Sequence, residues 1–144
     1  KGEKGALSAF VIAATMGGSP MIYSSQEIGY PSALSFFGFR EIDWESNISY
    51  FDQYRMIMDI YTSSEALRKG ELRSYDNTGK VISFLRKSNN EKVLIMVNTS
   101  DQVQETKIPI EFAHEKGKDL TNQSTETLPS ILTLQPFQFK IWQL

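Results

Sequence analysis

Glu27 is the first residue of this sequence whose position suggests chemistry. It follows a short extended run, Pro20 to Ser24, inside the segment GGSPMIYSSQEIGY at residues 17–30. A carboxylate just beyond the end of a buried strand can transfer a proton, but it can also be a structural acceptor for backbone amides or an arginine. The structural role is the commoner one, so we treat Glu27 as a candidate for supporting a cleft.

Arg40 is a second candidate, in the long loop that follows. Its planar guanidinium can fork onto a substrate's oxygen atoms or hold a carboxylate. The commoner alternative is an ion pair that orders the loop, with Glu41 or Asp43 as neighbours of the right charge. The same loop carries aromatic side chains that either offer stacking surfaces or, more commonly, pack the loop onto the rest of the protein: Phe36, Phe37, Phe39 and Trp44.

Composition excludes several classes of function. The chain has 144 residues, 40% of them hydrophobic, which is enough to bury a core. Its 15 basic and 17 acidic side chains give a formal charge of -2 with no basic run, so nucleic acid is not an expected partner. No apolar run approaches the roughly 18 residues that a membrane span needs, so no span is expected.

Metal and disulfide chemistry have little support in the sequence. There is no cysteine, which excludes a disulfide framework and thiolate ligands. The single histidine, His114, lies in a polar stretch and is expected to face solvent. Asp43, Glu45 and Asp52 lack the glycine-bearing spacing of a calcium loop. No metal ligand and no cofactor is therefore assigned to this chain.

The first half of the chain reads as helix, strand and helix. Residues 3–16 have apolar positions at helical spacing on more than one face, and Gly17 and Gly18 end the helix. An extended strand is predicted at residues 20–24, followed by the long aromatic loop. A second helix is predicted from about Tyr50, with Ser49 as its cap. Its apolar stripe is Phe51, Tyr54, Met58 and Tyr61, and a short continuation, Ser64 to Lys69, ends at Gly70.

From Glu71 the apolar period changes from 3.6 to 2, which is typical of β-strands. The runs KVISFLRK and KVLIMVN are separated by the hairpin residues 88–91, and residues 93–97 are apolar on both faces, as in a central strand between two packed sheets. Pro109 lacks an amide hydrogen, which places its run at a sheet edge. The closing segment puts Phe137, Phe139 and Ile141 on one face. This pattern predicts an all-β antiparallel sandwich at residues 71–144, after an α/β piece at residues 1–68.

A lone strand needs neighbours, and its surrounding residues resemble a known family. The segment GGSPMIYSSQEIGY, then REIDW, then YRMIMDIYTSSEALRKGEL resembles the end of the catalytic barrel in the α-amylase superfamily of retaining glycoside hydrolases. Matches to the family pattern are Gly18, Pro20, Ile22, Tyr23, Glu27, Arg40, Trp44, Ala66, Leu67, Arg68 and Gly70. The family has a glycine where this chain has Ser25. The runs ISFLRKSNNEKVLIMVNTSD and LTLQPFQFKIWQL resemble the family's C-terminal domain.

The resemblance implies that the chain is the C-terminal fragment of a larger enzyme acting on α-glucans. Residues 1–68 are then the last helix-strand-helix portion of a TIM barrel, with strand eight at about residues 20–24. The family's reactive carboxylates lie upstream of Lys1, so this chain contains no catalytic residue and is expected to be inactive alone. Arg40, Glu27 and Trp44 are left as substrate-side or cleft-supporting candidates. The resemblance also allows calcium in the parent enzyme and favours a secreted or cell-envelope location.

A second hypothesis is a carbohydrate-binding or structural β-sandwich module without catalytic activity. Such a module is expected to present a planar row of exposed aromatic rings on one sheet, for which Trp142 and Tyr75 are the few candidates, although Trp142 fits a core position better. Under the first hypothesis the missing barrel portion is itself a partner of this chain. Without it, the helix at residues 3–16 and the strand at residues 20–24 are expected to be rearranged, disordered or covered by another chain.

Overall fold

The computed structural model describes residues 2–35, 37–76 and 79–144. Three helices occupy the first half: α1 (Gly2–Thr15), α2 (Ile48–Ser63) and the short α3 (Glu65–Lys69). The second half is formed of strands: β1 (Glu71–Ser74), β2 (Val81–Lys87), β3 (Lys92–Asn98), β4 (Gln104–Lys107), β5 (Lys116–Asp119), β6 (Ser124–Thr127), β7 (Ile131–Leu134) and β8 (Phe139–Gln143). No described helix is long and apolar enough to cross a membrane.

The strands form two antiparallel sheets. The larger has six strands in the order β1-β2-β3-β8-β5-β6, and the smaller pairs β4 with β7. The hairpin predicted at residues 88–91 joins β2 to β3, with Val81 opposite Asn98 and Lys87 opposite Lys92. The antiparallel all-β organisation predicted from the change of period is therefore confirmed, and β2 and β3 occupy the predicted runs.

The six-stranded sheet is covered on both faces, but by different partners. On one face, Val93, Ile95 and Val97 of β3 share an apolar cluster with α1 and α2. On the other face, Leu94 and Met96 share a second cluster with residues of the smaller sheet. The double-sided apolar pattern of β3 was attributed to two packed sheets. One of its two covering layers consists instead of helices, which bury an apolar strand face as effectively as a second sheet.

The face that α1 buries agrees with its sequence pattern, and that of α2 agrees only in part. The predicted positions Leu7, Phe10, Val11 and Ala14 are all buried. In α2 the buried residues are Tyr50, Tyr54, Ile57 and Ile60. Of the predicted stripe, Tyr54 is among them, Met58 and Tyr61 are half-buried against the same cluster, and Phe51 is exposed. Because α2 is apolar at many positions, packing against α1 and the sheet selects which stripe is buried.

Several boundaries also differ from the sequence prediction. Helix α2 begins after Asn47, and Ser49 lies inside it and is not its cap. Strand β4 ends at Lys107, and Pro109 follows in a turn in which its carbonyl accepts a bond from the amide of Phe112. Phe137 precedes β8 with a φ of 57° and so does not share the strand face of Ile141. The predicted exposure of His114 is correct.

The strand predicted at residues 20–24 is not formed. The backbone between α1 and the turn at Gln26–Ile28 has no helix or strand, and Met21 is 77% exposed. A strand requires a neighbour that accepts and donates its backbone hydrogen bonds, and no described strand pairs with residues 20–24. The helix predicted at residues 3–16, which was also expected to be rearranged, disordered or covered by another chain, is instead formed as α1, with its apolar face buried within this chain. The division into domains at residues 1–68 and 71–144 stays a prediction.

Candidate functional site

The candidate residues lie on the segment that connects α1 to α2. Its first part is held against α2 by Gln26, whose side-chain amide donates to the Tyr54 hydroxyl at 3.2 Å. The carbonyl oxygen of the same side chain accepts from the backbone amide of Tyr23 at 3.2 Å. Tyr54 is itself buried and stacks on Phe10 of α1 with ring centroids 4.4 Å apart. Gln26 thus fixes the segment to the core just before Glu27.

Glu27 lies in the single turn of 3-10 helix at Gln26–Ile28. Its residue is half-buried, but one carboxylate oxygen, Oε2, is inaccessible to solvent. No atom within the described ranges hydrogen-bonds to that oxygen. The sequence favours a structural role for Glu27, as an acceptor for backbone amides or an arginine. Within the described ranges, however, no such donor reaches Oε2.

Arg40 and Trp44 lie further along the connection and are exposed. Trp44 is 51% accessible, and Phe37 and Phe39 are almost fully accessible. Phe36 lies outside the described residues. The expected packing of the loop onto the rest of the protein is therefore absent at these three described aromatics. The alternative ion pair of Arg40 with Glu41 or Asp43 is likewise absent from the salt bridges between described residues.

The backbone at Ser25 has the conformation that suits the glycine expected there from the resemblance. Ser25 adopts φ 65° and ψ 5°, the left-handed conformation that glycine reaches without a steric penalty. Its carbonyl oxygen accepts from the amide of Tyr30 at 3.1 Å, which closes the turn around Glu27. The turn is therefore formed despite the substitution, at the cost of a strained residue.

Replacing Ser25 with glycine is expected to raise the free energy of unfolding by about 0.5–1 kcal/mol, because release of the left-handed strain exceeds the added entropy of the unfolded chain. Urea denaturation followed by circular dichroism measures this change. The adjacent Ser24 is the matched control, because its φ is not positive. Ser24→Gly should lower stability by a similar amount, and a Ser25→Gly variant that also loses stability would contradict the prediction.

The far end of the connection is fixed by residues that the sequence analysis did not single out. The side-chain amide of Asn47 donates to Glu3 of α1 at 2.8 Å, and the Tyr50 hydroxyl donates to the Glu3 carbonyl at 3.1 Å. Burial, together with the neighbouring Tyr54 and Glu3, raises the pKa of Tyr50 far above its usual value, so this hydroxyl stays protonated. Isolated Asn and Tyr residues carry no spacing signal, which is why sequence patterns missed them.

Arg86 lies on β2 and connects that strand to the end of α1 and to Gly70, the residue before β1. It is 3% exposed, and its guanidinium donates to the carbonyl oxygens of Thr15 at 3.1 Å and Gly70 at 2.7 Å. A cation at the C-terminus of α1 is favoured by the helix dipole. Burial without a carboxylate partner lowers the pKa of Arg86 below its usual value. The signal was present in the sequence, since Arg86 is two residues from Phe84 in a strand of period 2 and therefore shares its inward face.

Glu91 makes a second connection between helices and sheet. From the β2–β3 hairpin its Oε2 accepts from the Ser64 hydroxyl at 2.8 Å and from the Ala66 amide at 2.9 Å. The Ser64 hydroxyl in turn accepts from the amide of Leu67 and caps α3. Together with Arg86, this carboxylate fixes the helices on one face of the sheet, and so sets where the connection with Glu27 and Arg40 lies.

The sheets themselves present no open aromatic platform within the described ranges. Trp142 is 1% exposed, as its predicted core role requires, and its ring nitrogen donates to Glu126 at 2.7 Å. Tyr75 is half-buried, with the Arg73 guanidinium 5.2 Å from its ring centroid and Phe112 against its edge. Over the same ranges, no group of three or more His, Asp or Glu residues could hold a metal ion.

Comparison with known proteins identifies the sheet region. The family model described as "Maltogenic Amylase, C-terminal domain" matches residues 71–141, from β1 to the middle of β8. The match covers 71 of the 144 residues of the chain. A probable alpha-glucosidase of Rhizobium meliloti (strain 1021) is 32% identical over 62 residues, or 43% of this chain. The resemblance of the chain to the C-terminal part of the α-amylase superfamily is confirmed.

The fold extends beyond the maltogenic amylase C-terminal domain in solved structures. A maltogenic amylase from S. marinus superposes on 97% of this chain with a TM-score of 0.78 and 20% identity. AmyP, solved in complex with maltose, superposes on 98% of it with a TM-score of 0.80 and 14% identity. At these identities the likeness shows the fold alone. The chain spans 11% of the Rhizobium protein and 19% and 34% of the two structures.

Proposed function

We propose that this chain is the C-terminal part of an α-amylase-type retaining glycoside hydrolase that acts on α-glucans. The observation that carries the proposal is the match of residues 71–141 to the maltogenic amylase C-terminal domain. In the parent enzyme, residues 1–68 complete the catalytic barrel and residues 71–144 form the accessory β domain. The maltose bound to AmyP supports an α-glucan as the substrate class.

The unpaired segment between α1 and α2 supports the assignment to a barrel. Two helices flank an extended stretch whose Met21 and Tyr23 side chains are exposed and whose backbone has no strand partner. A barrel strand has two neighbours, and both belong to the upstream part of the parent. The same part would cover Phe37 and Phe39 and bring Arg40 and Trp44 to the substrate side of the cleft.

The chain is not expected to hydrolyse glucans by itself. A retaining glycosidase needs two carboxylates about 5–5.5 Å apart across the bond that is cleaved. In the superfamily both lie upstream of the segment that this chain resembles. Glu27, the carboxylate at the expected strand end, is therefore assigned a supporting role and no role in proton transfer. Calcium, if the parent binds it, is assigned to no residue of this chain.

Assays of the 144-residue chain and of the full-length protein test the proposal. With maltooligosaccharides as substrates, the full-length protein is expected to release sugars whose anomeric configuration is retained, as followed by proton NMR. The chain alone should show no turnover, and its titration with maltoheptaose should show no binding tighter than millimolar. A full-length protein that leaves α-glucans intact contradicts the proposal. Tight maltoheptaose binding by the chain would instead favour the binding module.

A further inference from the structure

One carboxylate oxygen in this structure is buried without any hydrogen-bond partner. Oε2 of Glu27 is inaccessible to solvent, and no described atom donates to it. Removing an ionised carboxylate from water without a donor is strongly unfavourable, because the lost hydration is not replaced. Such a group in a native protein calls for a partner that supplies hydrogen bonds and opposite charge.

The position of Glu27 is determined by its own turn. Ser25 and Gly29 both have φ 65° and enclose the 3-10 turn, and the amide of Tyr30 bonds to the carbonyl of Ser25. Ile28, the next residue, is 3% exposed and anchors the turn in the core. Gln26 on the other side is bonded to the Tyr54 hydroxyl. The contacts of both neighbours therefore fix the backbone position of Glu27, next to the core.

The space near this turn is where further protein is expected. Met21 and Tyr23, which lead into the turn, are 77% and 56% exposed. In the S. marinus and AmyP structures, the part equivalent to this chain is 19% and 34% of the protein. Most of such a protein therefore lies outside the chain described. An upstream portion that pairs with residues 20–24 would also lie beside Glu27, because Glu27 follows those residues closely in the chain.

We propose that Glu27 accepts a charge-assisted hydrogen bond from an arginine or lysine side chain of the upstream barrel portion. A cation matches the need, because its N–H donors and positive charge replace the water that the buried oxygen has lost. Glu27 is then a positioning residue that joins the end of the barrel to its beginning. This inference rests on the proposed function, since that function supplies the upstream barrel.

The experiment compares Glu27→Gln in two contexts. In the full-length protein the substitution leaves the upstream cation buried and unpaired, and we expect the half-life of glucan-hydrolysing activity at elevated temperature to fall by about tenfold or more. The 144-residue chain lacks the proposed upstream partner, so urea denaturation should show Glu27→Gln to be as stable as the parent chain or more stable. Glu41→Gln, at an exposed acid of the same connection, is the matched control and should change neither quantity.

The outcomes separate this inference from the function on which it rests. If the full-length protein hydrolyses glucans and Glu27→Gln does not shorten the half-life of that activity, the proposed pairing is wrong and the proposed function stands. A loss of stability in the 144-residue chain equal to that in the full-length protein also overturns it, because the role of Glu27 is then internal. If the pairing holds, replacing the correct upstream arginine or lysine with methionine should abolish the further effect of Glu27→Gln, as a double-mutant cycle measures.

Discussion

Replacing Gly70 with alanine is expected to lower the free energy of unfolding of this chain by about 3 kcal/mol. A Cβ atom at this position would lie 2.5 Å from the carbonyl oxygen of Ala66 and 2.6 Å from that of Lys87. Both are backbone atoms, one in the first turn of α3 and the other at the end of β2, so neither can move without shifting its element. Urea denaturation followed by circular dichroism gives the change in free energy.

The control for this prediction is Gly38→Ala. A Cβ there would approach only the side-chain oxygen of Ser35, at 3.2 Å, and a side chain can rotate away. We expect that variant to stay within about 0.5 kcal/mol of the parent chain. Because Gly70 has a φ of -69°, the expected loss comes from close approach alone and not from backbone conformation. Equal stabilities of the two alanine variants would show that the contact at Gly70 relaxes freely.

Replacing Arg86 with alanine is expected to lower the free energy of unfolding by about 3 kcal/mol as well. The substitution leaves the carbonyl oxygens of Thr15 and Gly70 without their donor and opens a cavity between the helices and β2. Arg86→Met fills most of that volume but donates no hydrogen bond, so we expect it to recover about half of the loss. Denaturation of the three proteins under identical conditions measures both steps.

Two further measurements locate the effect of Arg86. Hydrogen exchange should become faster at the amides near the end of α1, because their helix loses its C-terminal cation. Arg55→Ala is the control, since Arg55 is exposed and pairs only with Asp52 on the same helix, at 3.2 Å. That change should stay within about 0.5 kcal/mol. A stability of Arg86→Ala close to that of the Arg55 variant would mean that relief of the buried charge compensates for both lost hydrogen bonds.

The spacing of apolar residues predicted the secondary structure correctly where it is compatible with only one kind of element. Strands β2 and β3 lie within the runs predicted for them, and the hairpin residues 88–91 join them. Both runs are rich in strand-forming apolar residues and are separated by a short polar turn, a combination that favours a hairpin. The buried face of α1 was likewise correct. The motif matches at residues 17–70 and in the β region together led to the superfamily, whose C-terminal domain is found at residues 71–141.

The candidate site could be located in the sequence but not described from it. Glu27, Arg40 and Trp44 all lie on the connection between α1 and α2, as predicted. Their contacts could not be predicted from the sequence. Among the described residues, Oε2 of Glu27 has no donor and Arg40 forms no salt bridge. The residues that hold the connection in place, such as Gln26 and Asn47, were found only by their contacts with Tyr54 and with α1.

The sequence by itself determined the β-strand pairing of residues 81–98, the buried face of α1 and the family of the C-terminal domain, because these depend on short-range patterns. Only the tertiary structure decided which face of α2 is buried, that helices cover one side of the central sheet, and that residues 20–24 form no strand. The physical reason is that each of these depends on a neighbour. An apolar face is buried by whichever surface packs on it, and a strand exists only where another strand satisfies its backbone.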